Sequence, residues 1–133
     1  MHITQETDYA VRIVYCLANS EGRKDARTIS EEMGVTLRFS LKILHKLVGS
    51  GIVKSYKGSK GGYELARPAG EVNLKQVIEA IEGNYALAKC IDPDYCCEWK
   101  ESMTPGVCSF RREFARISQR VNEELEKVTF DKF

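Results

Sequence analysis

Apolar residues recur at helical spacing along most of this chain and alternate at strand spacing in one central region. Tyr9, Ala10, Ile13, Val14, Leu17 and Ala18 share one face of a helix from about Thr7 to Asn19. A short helix follows from about Ala26 to Met33. There Thr28 and Glu31 have capping-box spacing, and Gly34 stands where a helix ends. Only Val35 and Thr36 separate it from the next helix, Leu37 to about Gly49, which Thr36 is suited to cap. Leu37, Leu41, Leu44, Leu47 and Val48 form the expected core stripe of that helix, with Ile43 alongside. The pattern then changes. Ile52 to Tyr56 and Tyr63 to Ala66 read as two strands around the glycine-rich turn Lys57-Gly58-Ser59-Lys60-Gly61-Gly62. Asn73 and Gly83 bracket a further helix from Leu74 to Glu82.

Residues 84–107 show no period and hold Pro93, Trp99 and Pro105. A long irregular stretch in a small domain usually carries function or is disordered. The last helix spans about Ser109 to Lys127. Phe110, Phe114, Ile117, Val121, Leu125 and Val128 recur at steps of four or three, nearly a heptad seam. Little domain remains to cover that seam, so it predicts a homodimer. Helix, tight turn, helix and hairpin together predict a mainly α fold with a small β-hairpin wing. The expected division is a winged helix-turn-helix DNA-binding domain over 1–83, a cysteine-rich loop over 84–108, and a dimerisation helix with its tail over 109–133.

Charge sharpens this picture. The net charge is only +1, but the segment from Thr36 to Pro68 has seven basic residues against one acid, Glu64, so the rest of the chain carries −5. That asymmetry sets a basic face where the helical pair and hairpin lie, as contact with phosphate requires. The second helix of such a pair lies in the major groove and needs polar and basic side chains opposite its core stripe. Thr36, Arg38, Phe39, Ser40, Lys42, His45 and Lys46 are the candidates. Arg38 suits bidentate reading of guanine, Ser40 and Lys42 suit bases or phosphate, and Phe39 is either core or a partner for a thymine methyl. In the turn, Lys57 and Lys60 meet phosphate or enter the minor groove, while Gly58 and Gly61 let the backbone come close. A nucleotide-cradling loop is disfavoured, because no P-loop lysine with serine or threonine follows and no helix opens there. Double-stranded promoter DNA is the expected partner. No apolar run is long enough to span a membrane, and the first residues lack the plan of a signal peptide, so a cytoplasmic, membrane-free protein is expected.

Five cysteines are many for a cytosolic chain of 133 residues. Cys16 borders the apolar face of the first helix and reads as a buried thiol. Cys90, Cys96, Cys97 and Cys108 crowd into 19 positions. In a reducing compartment such clustering points to metal or redox chemistry. An iron–sulfur cluster needs thiolates on a loop free to wrap it. Zinc usually needs paired C-x-x-C knuckles, which are absent. A thiol–disulfide switch needs only two reachable cysteines. Enzymatic use of the thiols lacks support, because the only histidines are His2 and His45, and His45 lies on the expected DNA helix. An iron–sulfur carrier or scaffold with no DNA role would leave the basic wing without purpose.

Several stretches together resemble one family. They are Thr7-Asp8-Tyr9-Ala10-Val11-Arg12, Ile29-Ser30-Glu31, Lys42-Ile43-Leu44-His45-Lys46-Leu47, Gly51-Ile52-Val53-Lys54-Ser55 and Gly58-Ser59-Lys60-Gly61-Gly62-Tyr63-Glu64-Leu65. The wing followed by Val77-Ile78-Glu79-Ala80-Ile81-Glu82-Gly83 is the most specific part. The chain is similar over its whole length to the Rrf-two (BadM-type) regulators. The resemblance implies a homodimer on palindromic promoter DNA, with the long helix crossing to the partner. Cluster-bearing members hold an iron–sulfur centre through three cysteines, which match Cys90, Cys96 and Cys108, and [2Fe–2S] is favoured here over [4Fe–4S]. The gap from Cys96 to Cys108 is longer than common in the family. Two candidates stand for the fourth ligand: Asp8 from the other subunit, and Cys97, which is extra and could instead replace Cys96. Arg111 occupies the place of a histidine ligand found in some members and stays protonated, so it cannot ligate. Leu41 stands where some members carry a discriminating glutamate, which implies a different operator.

Overall fold

The computed structural model describes residues 2–99 and 108–133; Pro105 and the rest of 100–107 in the expected loop lie outside the described residues. Helix α1 spans Gln5–Ala18, opening two residues earlier than the periodicity suggests. Thr4 caps it by accepting the Thr7 N–H, and Glu6 and Asp8 in the first turn complement the helix dipole. Helix α2, Ala26–Met33, has the expected bounds but a different cap. Asp25 accepts the Thr28 N–H at 2.7 Å, so Thr28 already lies within the helix and the expected Thr28–Glu31 box is not its start. Gly34, at φ 65°, closes α2 in the left-handed conformation that glycine adopts without a Cβ penalty. Helix α3, Leu37–Gly49, is capped by Thr36, whose hydroxyl accepts the Phe39 N–H at 3.3 Å.

Strands β1 (Val53–Tyr56) and β2 (Gly62–Leu65) form an antiparallel hairpin with Val53 opposite Leu65 and Tyr56 opposite Gly62. Lys24, just before α2, pairs its backbone with Tyr63 in both directions, at 3.0 and 2.8 Å. The wing is thereby sewn to the helical body at its base. Helix α4, Leu74–Glu82, begins with a complete capping box between Asn73 and Gln76 and ends at Gly83. Helix α5 covers Ser109–Glu126. The tail behind it turns back: Leu74 N–H donates to Val128 and Phe130 N–H donates to Val72, and the Phe130 ring is buried.

The core is one cluster. Ala10, Ile13, Val14 and Leu17 of α1 meet Ile29, Ile43, Leu44, Leu47, Ile52, Val53, Val72, Val77 and Phe130. Burying an aliphatic side chain of this size contributes about 1.5–3 kcal/mol, so the stacked helices and wing root stabilise one another.

Two helices differ from their expected faces. On α3 the buried positions are Ser40, Ile43, Leu44 and Leu47, whereas Leu37 and Leu41 are 36% and 45% exposed. Ser40, expected on the exposed side, is fully buried, and its Oγ has no hydrogen-bond partner. The helix is rotated so that this small residue lies on its buried side, among the elements α3 packs against, α1 and α2 foremost. On α5 only Ser118 is buried among its residues. Its Oγ accepts the Leu87 N–H at 2.7 Å, Asn122 donates to the Tyr85 carbonyl at 3.2 Å, and Lys75 of α4 pairs with Glu126 at 2.6 Å. The helix is held to its own body by polar bonds, while Phe110 and Ile117 of the apolar seam are 62% and 37% exposed.

Candidate nucleic-acid interface and thiol pocket

Thr36, Leu37, Arg38, Phe39, Leu41, Lys42 and His45 are exposed along α3, on the side away from the core. Arg38 and Lys42 are one turn apart and share that side. Lys42 and Lys46 converge on Glu6 of α1, at 3.6 and 2.7 Å from its Oε1. The hydrogen bond from Lys46 holds the Glu6 carboxyl below its ordinary range. Lys46 is therefore engaged within the molecule, and Lys42 reaches both Glu6 and solvent. Phe39 leaves the core and meets the Tyr9 ring edge-on, with centroids 6.3 Å apart. Arg12 lies over the other partner of that contact, 5.5 Å from the Tyr9 centroid, and pairs with Asp8 at 2.7 Å. The start of α1 thus supports the exposed side of α3, which its own periodicity did not indicate.

The wing turn presents Lys57, Gly58, Ser59 and Lys60 to solvent. A Cβ on Gly61 would stand 2.4 Å from the Tyr56 carbonyl oxygen, so the turn closes only around glycine. Arg23 lies over the Tyr56 ring, 3.3 Å from its centroid, and its Nη1 donates to the Lys60 carbonyl at 3.4 Å. The Tyr56 hydroxyl donates to Glu64 at 2.6 Å, and that bond raises the phenol above its usual range. Arg23 is a cation of the wing that sequence reasoning missed. It lies outside the basic segment and no local pattern marks it.

The cysteines fall into two settings. Cys16 is buried, as its position on α1 suggested. Its thiol donates to Glu32 at 3.3 Å beside Lys24, and burial first, then the Glu32 bond, push it up. Such a thiol is inert. Cys90, Cys96, Cys97 and Cys108 line one pocket, walled by Trp99, Phe110 and Phe114. Cys90 lies in the 3₁₀ turn Lys89–Ile91, and Cys108 caps α5, its Sγ accepting the Arg111 N–H at 3.5 Å. That sulfur faces the positive end of the α5 dipole. None of the four thiols is joined in a disulfide among the described residues, and Cys96 is exposed. They share the pocket without being drawn together. Among the described residues no three His, Cys, Asp or Glu side chains form a group able to hold a metal ion. By donor type the set fits a soft iron centre. Arg111 also lines the pocket, whereas Asp8 is not among its lining residues and pairs with Arg12 instead. Among the described residues no helix is long and apolar enough to cross a membrane.

Comparison with known proteins adds to this geometry. Residues 3–133 match the Rrf2 family, described as iron-dependent transcriptional regulators. The chain is 39% identical over 93 residues to protein aau3 of Rhizobium meliloti (strain 1021), covering 69% of this chain and 60% of that protein. It is 29% identical over 135 residues to the HTH-type transcriptional regulator NsrR of Oceanobacillus iheyensis, covering 98% of this chain and 88% of that one. Its fold is similar to that of CymR, the global cysteine regulator of B. subtilis, with a TM-score of 0.73 at 24% identity, over 98% of this chain and 94% of that one.

Proposed function

From the premise that this chain belongs to the Rrf2 family of transcriptional regulators, we propose that it acts as a homodimer on palindromic promoter DNA under the control of an iron–sulfur centre. The observation that carries the control is the gathering of Cys90, Cys96, Cys97 and Cys108 on one pocket at the head of α5. Cys90, Cys96 and Cys108 are the proposed ligands, with Cys97 or Asp8 of the partner subunit as the fourth. When bound, the centre supplies a site whose redox state and integrity respond to iron, oxygen or nitric oxide.

The rest is done by the chain. Thr36, Arg38, Phe39 and Lys42 on α3 address the major groove, and Lys57, Gly58, Lys60 and Gly61 set the wing against the backbone. Buried Ser40 is withdrawn from this set. The open seam of α5 supplies the dimer contact, and a two-fold axis through it presents two reading heads to two half-sites. Cys108 caps α5, while the segment leading to Cys90 is bonded to the middle of the same helix through Leu87 and Ser118. Drawing Cys90 and Cys108 together therefore acts on the seating of α5, and through the dimer on the spacing of the heads.

The test is anaerobic purification followed by iron, sulfide and visible-absorption analysis. Wild type is compared with Cys90→Ala, Cys97→Ala, Cys108→Ala and Asp8→Ala, alongside salt-dependent gel shifts on promoter fragments. Colourless, iron-free anaerobic protein would sink the cluster reading. A second reading rests on four thiols that share one pocket, none of them in a disulfide and no three of them grouped to hold a metal among the described residues. Two of them would pass two electrons and two protons to a peroxide and close a disulfide. A loss of two mass units on peroxide treatment, reversed by a dithiol and changing DNA affinity in iron-free protein, identifies it.

A further inference from the structure

The exposed side of α3 is not uniformly polar. Leu37 and Leu41 are 36% and 45% exposed, although the helix has Ile43, Leu44 and Leu47 to satisfy the core. They lie one turn apart on the same edge of the exposed side, next to Arg38 and Lys42. Both are in the first two turns, the part of a recognition helix that meets base edges. Phe39, the third apolar residue there, is on the opposite edge and is engaged with Tyr9. Phe39 is itself 47% exposed, so the leucine pair is the aliphatic part of the apolar surface of this helix, the part that no ring contact engages.

The parts of these two aliphatic side chains left open to water, 36% and 45% of each, carry an apolar cost that the fold does not remove. Their surroundings say what covers them. Arg38 and Lys42 bring positive charge to the same exposed side of α3, which suits an anionic duplex and opposes an ordinary apolar protein surface. The one apolar group that a duplex shows in its major groove is the C5-methyl of thymine. Four residues of helix advance about 6 Å, close to two base steps of about 3.4 Å each along a strand.

We infer that Leu37 and Leu41 are specificity determinants of this regulator, each seated on a thymine methyl, the two thymines about two base steps apart in each half-site. Arg38 and Lys42 fix the helix over the backbone or a neighbouring guanine, and the leucines discriminate thymine from cytosine at the adjoining positions. This rests on the DNA-binding reading above and adds the base that is read.

The experiment starts from duplexes enriched by the wild-type chain from a randomised pool. In an enriched duplex each thymine is replaced singly by deoxyuridine, which removes the methyl and keeps base pairing. Affinity should fall about fourfold at one or two thymines per half-site, the effect of losing one buried methyl-sized group. The same replacements should cost Leu37→Ala or Leu41→Ala nothing at the thymine that each residue covers. Both positions are exposed, so the variants should keep the wild-type melting temperature. Wild-type affinity indifferent to every thymine-to-uracil change would overturn the inference. So would a penalty of equal size in the alanine variants. Failure of the wild type to enrich any sequence is a separate result and would strike the DNA-binding reading itself.

Discussion

Replacing Gly62 by alanine tests how the wing is attached. Gly62 has φ +135°, and a Cβ there would lie 2.8 Å from the Lys24 carbonyl oxygen and 2.9 Å from its carbon. The obstacle is backbone, so no side chain can swing aside. Left-handed strain contributes about 1–2 kcal/mol. Relief of the clash separates Lys24 from β2 and breaks the two reciprocal Lys24–Tyr63 bonds, at about 0.5–1.5 kcal/mol each. The total is about 2–5 kcal/mol, which for a chain of 133 residues lowers the melting temperature by roughly 7–18 °C. Two controls separate the causes. Gly58→Ala, at φ +91° with nothing near its Cβ, should show the strain alone, and Gly22→Ala, unobstructed, should be close to neutral. Thermal unfolding by circular dichroism gives the totals, and amide exchange at Lys24 and Tyr63 locates the damage. A Gly62→Ala protein melting like Gly22→Ala, with both amides still protected, would refute the reasoning.

Three further outcomes follow from the same geometry. Glu6→Gln should release Lys42 and Lys46 from their shared carboxylate and tighten DNA binding roughly two- to fivefold, since a partly exposed pair is worth about 1 kcal/mol or less; unchanged or weaker binding in a gel shift contradicts it. Lys57→Ala should weaken binding to specific and random duplexes alike and reduce the slope of log affinity against log salt by about 0.9 per lost phosphate contact. Acid should act through Glu82, whose carboxyl is held below its ordinary value of 4.5, chiefly by the Thr7 hydroxyl and then by the Thr4 N–H. A lowered folded value means that the unfolded chain binds the proton first. The stabilisation is therefore complete above about pH 4.5 and is lost as pH falls through the folded value, and Glu82→Gln should remove that part of a denaturant–pH profile.

Local chemistry explains how much of the fold was readable. Helices α2, α3 and α4 fall within the expected bounds because Thr36, Asn73, Gly34 and Gly83 act within a few residues of themselves. The hairpin was readable for the same reason, through alternating residues around a glycine-rich turn. The cap of α2 was misassigned, though not its bounds, because Asp25 just before the helix accepts the Thr28 N–H and so takes the role that the Thr28–Glu31 spacing suggested. Ser40 and Leu41 exchanged places because a heptad-like reading weighs hydrophobicity, whereas close packing of α3 on α1 and α2 favours a small residue at the contact. Of the interface, the lysines and glycines of the wing stood in one contiguous segment. Arg23 on Tyr56 and Glu6 beneath Lys42 and Lys46 join residues more than thirty positions apart, so no window of sequence contains them.

By itself the sequence determined a winged helix-turn-helix with a basic wing and a cysteine-rich segment before a long apolar-seamed helix. Periodicity, caps and glycines act over one or two turns, and that range suffices for elements and their order. Only the tertiary structure decided which face each helix turns inward, because burial is settled by what the neighbouring elements offer. It set Ser40 inside and Leu37 and Leu41 outside, returned Phe130 to the core, and brought four thiols separated by up to 18 positions onto one pocket. It also left Phe110 and Ile117 of the α5 seam exposed, while Ser118 and Asn122 hold that helix to its own body.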